Sequence, residues 1–333
     1  MTEDTREQGR RMTEDNVSNC RGWAAVASGL RGYWRDGSRL DRICYLLSGL
    51  LVASGLVHLI VFAIDDRPWE GPLSWRKAVT FGLSFGLTLA TITWVSALLR
   101  LRGRGRTWLL GAFAAACVEE VVLVTTQVWR DVPSHFNVST LVDGLIARGL
   151  AVGGGVLVVV LVTLTVLAFR SRAGTPPATL LAIRVGLVTL LGSMAAGGVM
   201  IADGMVRVAE GEGSAVYANG GWLKPAHAVL LHAVTVLPGL AWLAGYTGWD
   251  ARRRWRVTVL GCVGYVTAAA VVAIANVAGG DPRAMPLVGW LVAAGGVGAL
   301  LGAGTAVLVG VTRSALRQRY DQDRLGTLGG PRP

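Results

Sequence analysis

Charge is what this chain is short of. Only 16% of its 333 residues are charged, where a soluble domain carries about 25%. Hydrophobic residues make up 52% and mean hydropathy is +0.50, so a membrane protein is the default reading. Lysine is almost missing: of 32 basic residues, only Lys77 and Lys224 are lysine. Arginine usage of that kind, with abundant Ala, Gly and Val, suggests a GC-rich bacterial genome. Cysteine is sparse too. Cys20, Cys44, Cys117 and Cys262 show no CxxC spacing, and none falls in a segment placed outside, so no disulfide is expected. No P-loop, Rossmann fingerprint or HExxH is present. Gly82, Ser84 and Gly86 spell G-x-S-x-G, but without the preceding strand that a nucleophile elbow needs. Ser84 therefore reads as helix packing.

What is present is a series of long apolar runs. Eight of them reach the roughly 20 residues that cross a bilayer, at about 43–64, 78–99, 107–128, 145–169, 178–201, 225–247, 256–277 and 287–312. The first begins late and ends in Asp65-Asp66 with no small-residue cleavage site, so it reads as a span and not a signal peptide. The net charge of +11 and pI near 10.3 could suggest nucleic-acid binding. The basic residues sort by membrane side instead. With the N-terminus inside, 23 fall on the inner segments and 8 on the outer ones, where 9 acids balance them. That is the positive-inside pattern. The expectation is an all-α polytopic helix bundle of about eight transmembrane helices in a bacterial plasma membrane, both termini cytoplasmic, with no nucleic-acid partner.

The ends are tails in this reading. Residues 1–42 are polar and arginine-rich, the first dozen disordered, with MTED occurring twice. Trp23 to Trp34 mixes aromatic and apolar residues with arginine, which suits a short interfacial helix or an unstructured tail. Residues 313–333 form a second cytoplasmic tail. Ala294, Gly298 and Gly302 repeat at four-residue spacing, which lets helix backbones approach closely. The expected use is packing within the bundle, with a dimer face as the alternative.

The polar residues inside the spans carry the functional argument. At 1.5 Å per residue, His58 lies about 9 Å, His232 about 10 Å and Glu120 about 13 Å below the outer boundary. His135 and His227 lie at or above that boundary, so all four histidines fall on the outer half. Intramembrane acids such as Glu119 and Glu120 are functional by default, although a structural ion-pair network is a serious alternative. Some 100° apart on a helix, they should point in different directions. Glu120 shares a face with Gln127, leading toward Arg130. Arg76, Lys77, Arg130, Arg148 and Lys224 face outward against the positive-inside trend. Glu119, Glu120, Asp143 or an anionic ligand should pair them. The turn-rich stretch Trp129 to Arg148, which holds His135 and Asn137, then caps a polar pocket under the outer face. Pro238 should kink the sixth span and free the Val234 carbonyl near that pocket.

Three stretches resemble a family of bacterial integral membrane proteins with no known activity. They are Trp75-Arg-Lys-Ala-Val-Thr-Phe-Gly-Leu-Ser84, Gln127 through Asp143, and Lys224-Pro-Ala-His through Pro238. The second resembles an RGxxSHFN…TPFD pattern through Arg130, Ser134, His135, Phe136, Asn137, Thr140 and Asp143. The third resembles an HFxGLHAxQxLP pattern through His227, His232 and Pro238. Asp131 and Leu141-Val142 depart from these patterns. The resemblance implies a site and no reaction.

The expected function is binding of a small ligand, ion, metal or haem in that pocket, with membrane oxidoreduction one form of it. Candidate contacts are His58, Lys77, Glu119, Glu120, Gln127, Arg130, His135, Asn137, Asp143, Lys224, His227 and His232. For a haem or transition metal, His58 and His232 would be axial ligands across two helices, with hydrogen-bonded packing as the bland reading of both. The ligand would be small and anionic or redox-active. Two alternatives stand beside this: a proton- or ion-coupled transporter using Glu119 and Glu120, and a sensory or structural membrane subunit.

Overall fold

The computed structural model describes residues 22–71, 73–171, 174–212 and 221–328, with side chains left out at 319 and 321–328. The disorder expected of the first dozen residues falls outside that range. Among the described residues there are nine α-helices, one 3-10 turn (Pro282–Ala284) and no strand. The helices are α1 (Trp23–Arg35), α2 (Arg39–Ile64), α3 (Arg76–Leu98), α4 (Gly103–Trp129), α5 (Leu141–Arg170), α6 (Pro177–Ala209), α7 (Lys224–Ala244), α8 (Ala251–Val277) and α9 (Leu287–Leu328). Eight of these, α2 to α9, are long and apolar enough to cross a membrane. The chain is an all-α polytopic helix bundle.

Local chemistry sets the helix ends. Ser38 and Asp41 form a reciprocal capping box at the start of α2, satisfying two backbone donors that a helix N-terminus leaves open. Thr140 caps α5 by accepting from the Asp143 amide at 3.2 Å. Asp250 does the same for α8 through the Arg253 amide at 2.7 Å. Pro177 begins α6, where a missing N–H costs nothing. The sixth span stops at Ala244, short of the expected 247, because Gly245 to Thr247 turn back through bonds to Trp242, Leu243 and Ala244. The segment read as a C-terminal tail continues α9 through Leu328. Pro238 lies inside α7, and the helix runs on through it.

Consecutive helices pack in turn, giving two groups, α2 to α5 and α6 to α9, joined mainly where α5 meets α6. The end of the bundle where α2 begins and α7 ends is the terminal face. With no hydrophobic force between helices in lipid, close packing of small residues holds such bundles together. Glycine supplies it at several contacts, Gly82 and Gly296 among them. A Cβ on Gly82 would sit 2.6 Å from the Gly55 amide nitrogen of α2, and one on Gly296 would sit 2.7 Å from the Gly264 carbonyl oxygen of α8. Gly82 thus serves helix packing. The stripe at Ala294, Gly298 and Gly302 does not pack within the bundle as expected. All three face outward, and both glycines have nothing within 4 Å. The α8 contact runs through Gly296, Leu300 and Ala303, which lie on the opposite side of α9.

Helix α1 lies against α9 at the terminal face. Its Trp23 indole donates to the Thr312 hydroxyl at 3.0 Å, and Val26 packs with Ala303, Val307 and Val311. Nearby, Arg106 of α4 holds Asp41 of α2 at 2.5 Å and also donates to Ser96 of α3, tying three helices together.

Candidate functional site

The loop from Arg130 to Thr140 closes the face opposite the terminal face. Two of its residues, Asp131 and Phe136, have φ near +60°, a region that side-chain-bearing residues enter only when their surroundings hold them there. Phe136 is held by Gly204 of α6: a Cβ there would meet the ring at 2.6 Å. Asp131 is held by Arg67 at 2.6 Å, and Arg67 also pairs with Asp65 at 3.2 Å. The Trp75 indole donates to Asp65 at 2.8 Å. That bond, with the Arg67 amide and charge, holds the Asp65 carboxyl below the usual carboxylate range.

Asp143 is the hub of the loop. It is fully buried and accepts from Gln127 Nε2 at 3.0 Å, Arg130 at 2.7 Å, the Thr140 hydroxyl at 2.6 Å and the Ser139 hydroxyl at 3.2 Å. Gln127 completes the ring by accepting from Arg130 with its own carbonyl. Asn137 folds back on the loop, its Oδ1 accepting from the Ser139 amide and hydroxyl. Gln127, Arg130 and Asp143 are therefore bonded to one another, and Asn137 is tied to them through Ser139.

The four histidines do not share a site. His58 is buried between Trp75 and Trp129, with ring centroids at 5.9 and 6.0 Å. Its Nδ1 donates to the Ser54 carbonyl at 2.7 Å, and its Nε2 accepts from the Trp129 indole at 2.9 Å. His227 is half-buried and pins α7 to α6, its Nδ1 2.7 Å from the Ser193 carbonyl. His232 is exposed on the outside of α7. The axial pair weighed from the sequence is not assembled: one ring has both nitrogens engaged, and the other faces away from the bundle. Among the described residues no group of three or more His, Cys, Asp or Glu is placed to hold a metal ion. His135 stands apart from the rest. It is half-buried against Phe81 of α3, at 5.8 Å, and shares a 2.9 Å hydrogen bond with Ser134. Burial, reinforced by the nearby Lys77 ammonium, pushes its pKa down to about 4.

The outward cations divide. Arg130 pairs with Asp143 and Arg76 with Glu70, the latter at 2.9 Å. Arg148 is exposed. Lys77 is half-buried, close to Arg76, Lys224 and His135, and has no hydrogen-bond or ion-pair partner among the described residues. Glu119 and Glu120, two of the partners weighed from the sequence, do not supply one. Both carboxylates turn toward the glycine face of α5. A Cβ on Gly153 would lie 3.0 Å from Glu120 Oε1 and 3.4 Å from Glu119 Oε2. The sequence argument had them diverge by 100°. The missing side chains on Gly149 and Gly153 leave room into which both bend. Glu120 is buried, and neither acid has an ion-pair partner among the described residues.

Three features were not anticipated from the sequence. Trp129, first residue of the turn-rich stretch, is the donor that fixes His58. The Asp41–Arg106 pair had a signal in the Ser38-x-x-Asp41 capping pattern. The third is an open cavity on the terminal-face side, lined by residues of α1, α2, α3 and α7. No protein-family model, curated protein or solved structure matches the chain.

Proposed function

We propose that this chain is a bacterial plasma-membrane protein with both termini in the cytoplasm, and that it binds a small anionic ligand at its outer face. The ligand would carry a carboxylate or phosphate group and sit on Lys77, with Arg76, Lys224 and His135 around it. The observation behind this is Lys77 itself, a half-buried ammonium with no counter-ion among the described residues, set beside two further cations. Burying charge without a partner is costly. The placement compounds that cost: Arg76 and Lys77 open α3, and Lys224 opens α7. Helix N-termini carry positive partial charge and favour anions. Glu70 offsets one of the three cations gathered at these two termini, and the spot stays net positive, which an anion relieves. His135 stays neutral above pH 4 and offers a hydrogen bond without adding repulsion. The three stretches of the resemblance fall on these same elements.

Titration calorimetry on the full chain in mild detergent, with inorganic phosphate and with succinate as probes, tests this. Saturable binding of at least one probe is expected, weakened tenfold or more in Lys77→Gln and in Lys224→Gln. Unchanged affinity in Lys77→Gln would sink the reading.

A second reading, proton- or ion-coupled transport, is favoured by Glu120, buried with Glu119 beside it and, among the described residues, no cation paired to either. Such carboxylates inside a membrane mark proton or cation pathways. Protonophore-sensitive uptake into proteoliposomes, lost in Glu120→Gln, is its test.

A further inference from the structure

The chain's only two lysines both stand in the pattern Trp-x-Lys, at Trp75-Arg-Lys77 and Trp222-Leu-Lys224. Each lies at the start of the second helix of a four-helix group. The groups also pack alike. In both, the second helix lies against the first and the third, and the first touches the third. The two groups are thus arranged as repeats, with α3 and α7 as equivalent helices that meet along a seam. Lys77 lies close to Lys224 at its outer end. Further in, the Thr91 and Thr235 hydroxyls are 3.0 Å apart, and beyond them the Trp94 and Trp242 rings meet at 5.8 Å. The two helices therefore run parallel, from the outer face toward the terminal face. Lys77, Ser84 and Thr91 recur every seven residues on one face of α3, and Lys224, Ala228 and Thr235 share a face of α7. Past the threonines begins an open cavity of about 500 Å³, with both of them in its lining and Tyr33 and Trp34 of α1 across it. No charged residue lines it. The contact between α3 and α7 is light beside those within each group, so the groups can part there at little cost in packing.

We propose that this seam is the route by which an organic anion crosses the membrane, the two groups rocking against each other and Thr91 and Thr235 forming the constriction between them. Carriers built from parallel repeats hold their substrate at the repeat interface and move in this way. The substrate carries a phosphate or carboxylate on an apolar body. Lys77 and Lys224 draw the charge at the outer end, and the uncharged cavity takes the body at the inner end. A bare inorganic anion would lose its hydration there and gain nothing in return. The proposal rests on the anion site at Lys77 and extends it from binding to passage. It does not use Glu119 or Glu120, which lie against the glycine face of α5.

A removable lock across the seam tests this. Thr91→Cys combined with Thr235→Cys places two thiols where the hydroxyls are 3.0 Å apart, close enough to bridge, since a disulfide bond is about 2 Å long. The readout is uptake of radiolabelled phenyl phosphate into proteoliposomes of the full chain, with calorimetry of phosphate binding beside it. Saturable uptake by the parent is expected, falling at least tenfold when the double variant is oxidised and returning on reduction. The parent and each single variant should ignore the oxidant, and phosphate binding should hold throughout. Phenyl phosphate should enter at least tenfold faster than inorganic phosphate. Gly239 lines the cavity, and a Cβ added there meets nothing within 4 Å. Gly239→Leu should therefore slow phenyl phosphate uptake severalfold with unfolding temperature unchanged. Binding without uptake, a bridge that fails to form, or a bridged protein that carries phenyl phosphate as the reduced one does overturns the route and leaves the outer site standing. Absence of phosphate binding overturns both. Equal uptake of the two anions overturns the apolar body.

Discussion

The Trp129 indole N–H donates to His58 Nε2 at 2.9 Å, and this bond decides what His58 can do. With Nδ1 donating to the Ser54 carbonyl, the ring carries its proton on Nδ1 and has no lone pair to spare. His58 is thus a structural clamp between α2 and the end of α4. His58→Ala should lower stability by about 1–3 kcal/mol, since it strands the Trp129 donor and opens a gap beside Trp75. Thermal unfolding in mild detergent checks the loss. The absorption spectrum should be the same in parent and variant; a band that vanishes with His58 would restore it as a ligand.

Asp143 should be the most sensitive polar position in the loop. Four side chains converge on it, and its carboxylate is 1% exposed. Asp143→Ala leaves Arg130, Gln127, Ser139 and Thr140 without their shared acceptor. Removing one partner of a buried ion pair costs about 3–5 kcal/mol, and Arg130 is 35% exposed, so screening places this change near the lower end. Limited proteolysis should show new cleavage between residues 131 and 140. An uncut loop in the variant would mean that Phe136 in its Gly204 notch is enough to hold it.

The bundle was legible because its signal is compositional: eight apolar runs separated by polar turns survive any detail of packing. Each expected span falls on one helix, apart from a residue or a few at the helix ends. The site was legible only in part. Depth placed His58, Glu120 and His232 at similar levels, but depth says nothing about which way a side chain faces around its helix. His232 faces outward, and His58 is taken by a tryptophan 71 residues away. The bend of both glutamates toward Gly153 depends on what a neighbouring helix lacks, which no single run of sequence reveals. The cavity was invisible for a similar reason. Trp94 and Trp242 read as ordinary apolar residues until α1 is laid across them.

Glycine positions should separate sharply in their tolerance. Gly82→Ala places a methyl 2.6 Å from backbone of α2, so the two helices must part. A cost of about 1–3 kcal/mol is expected for such overpacking. Gly298→Ala meets open space and should be neutral, or slightly stabilising through helix propensity. Unfolding temperatures of the two variants, measured side by side in one detergent, check this. If Gly298→Ala instead changes the oligomeric mass, the outward stripe is an interface.

His135 gives the pH dependence. Its folded pKa of about 4 lies below the ordinary histidine value of about 6.5. Between those two values the unfolded chain takes up a proton that the folded one refuses. Stability from this group is therefore complete above about pH 6.5 and is lost progressively as pH falls toward 4. The unfolding temperature should drop across that window, and His135→Gln should remove part of the drop while leaving the neutral-pH value nearly unchanged. The same residue reports on the outer site. Part of its depression comes from the Lys77 ammonium. An anion seated on Lys77 would offset that charge and raise the His135 value. Ring resonances of His135, titrated by NMR with and without saturating phosphate, should shift to higher pH when phosphate is present. They should also do so in Lys77→Gln without it. A titration that phosphate leaves unmoved would place the anion elsewhere.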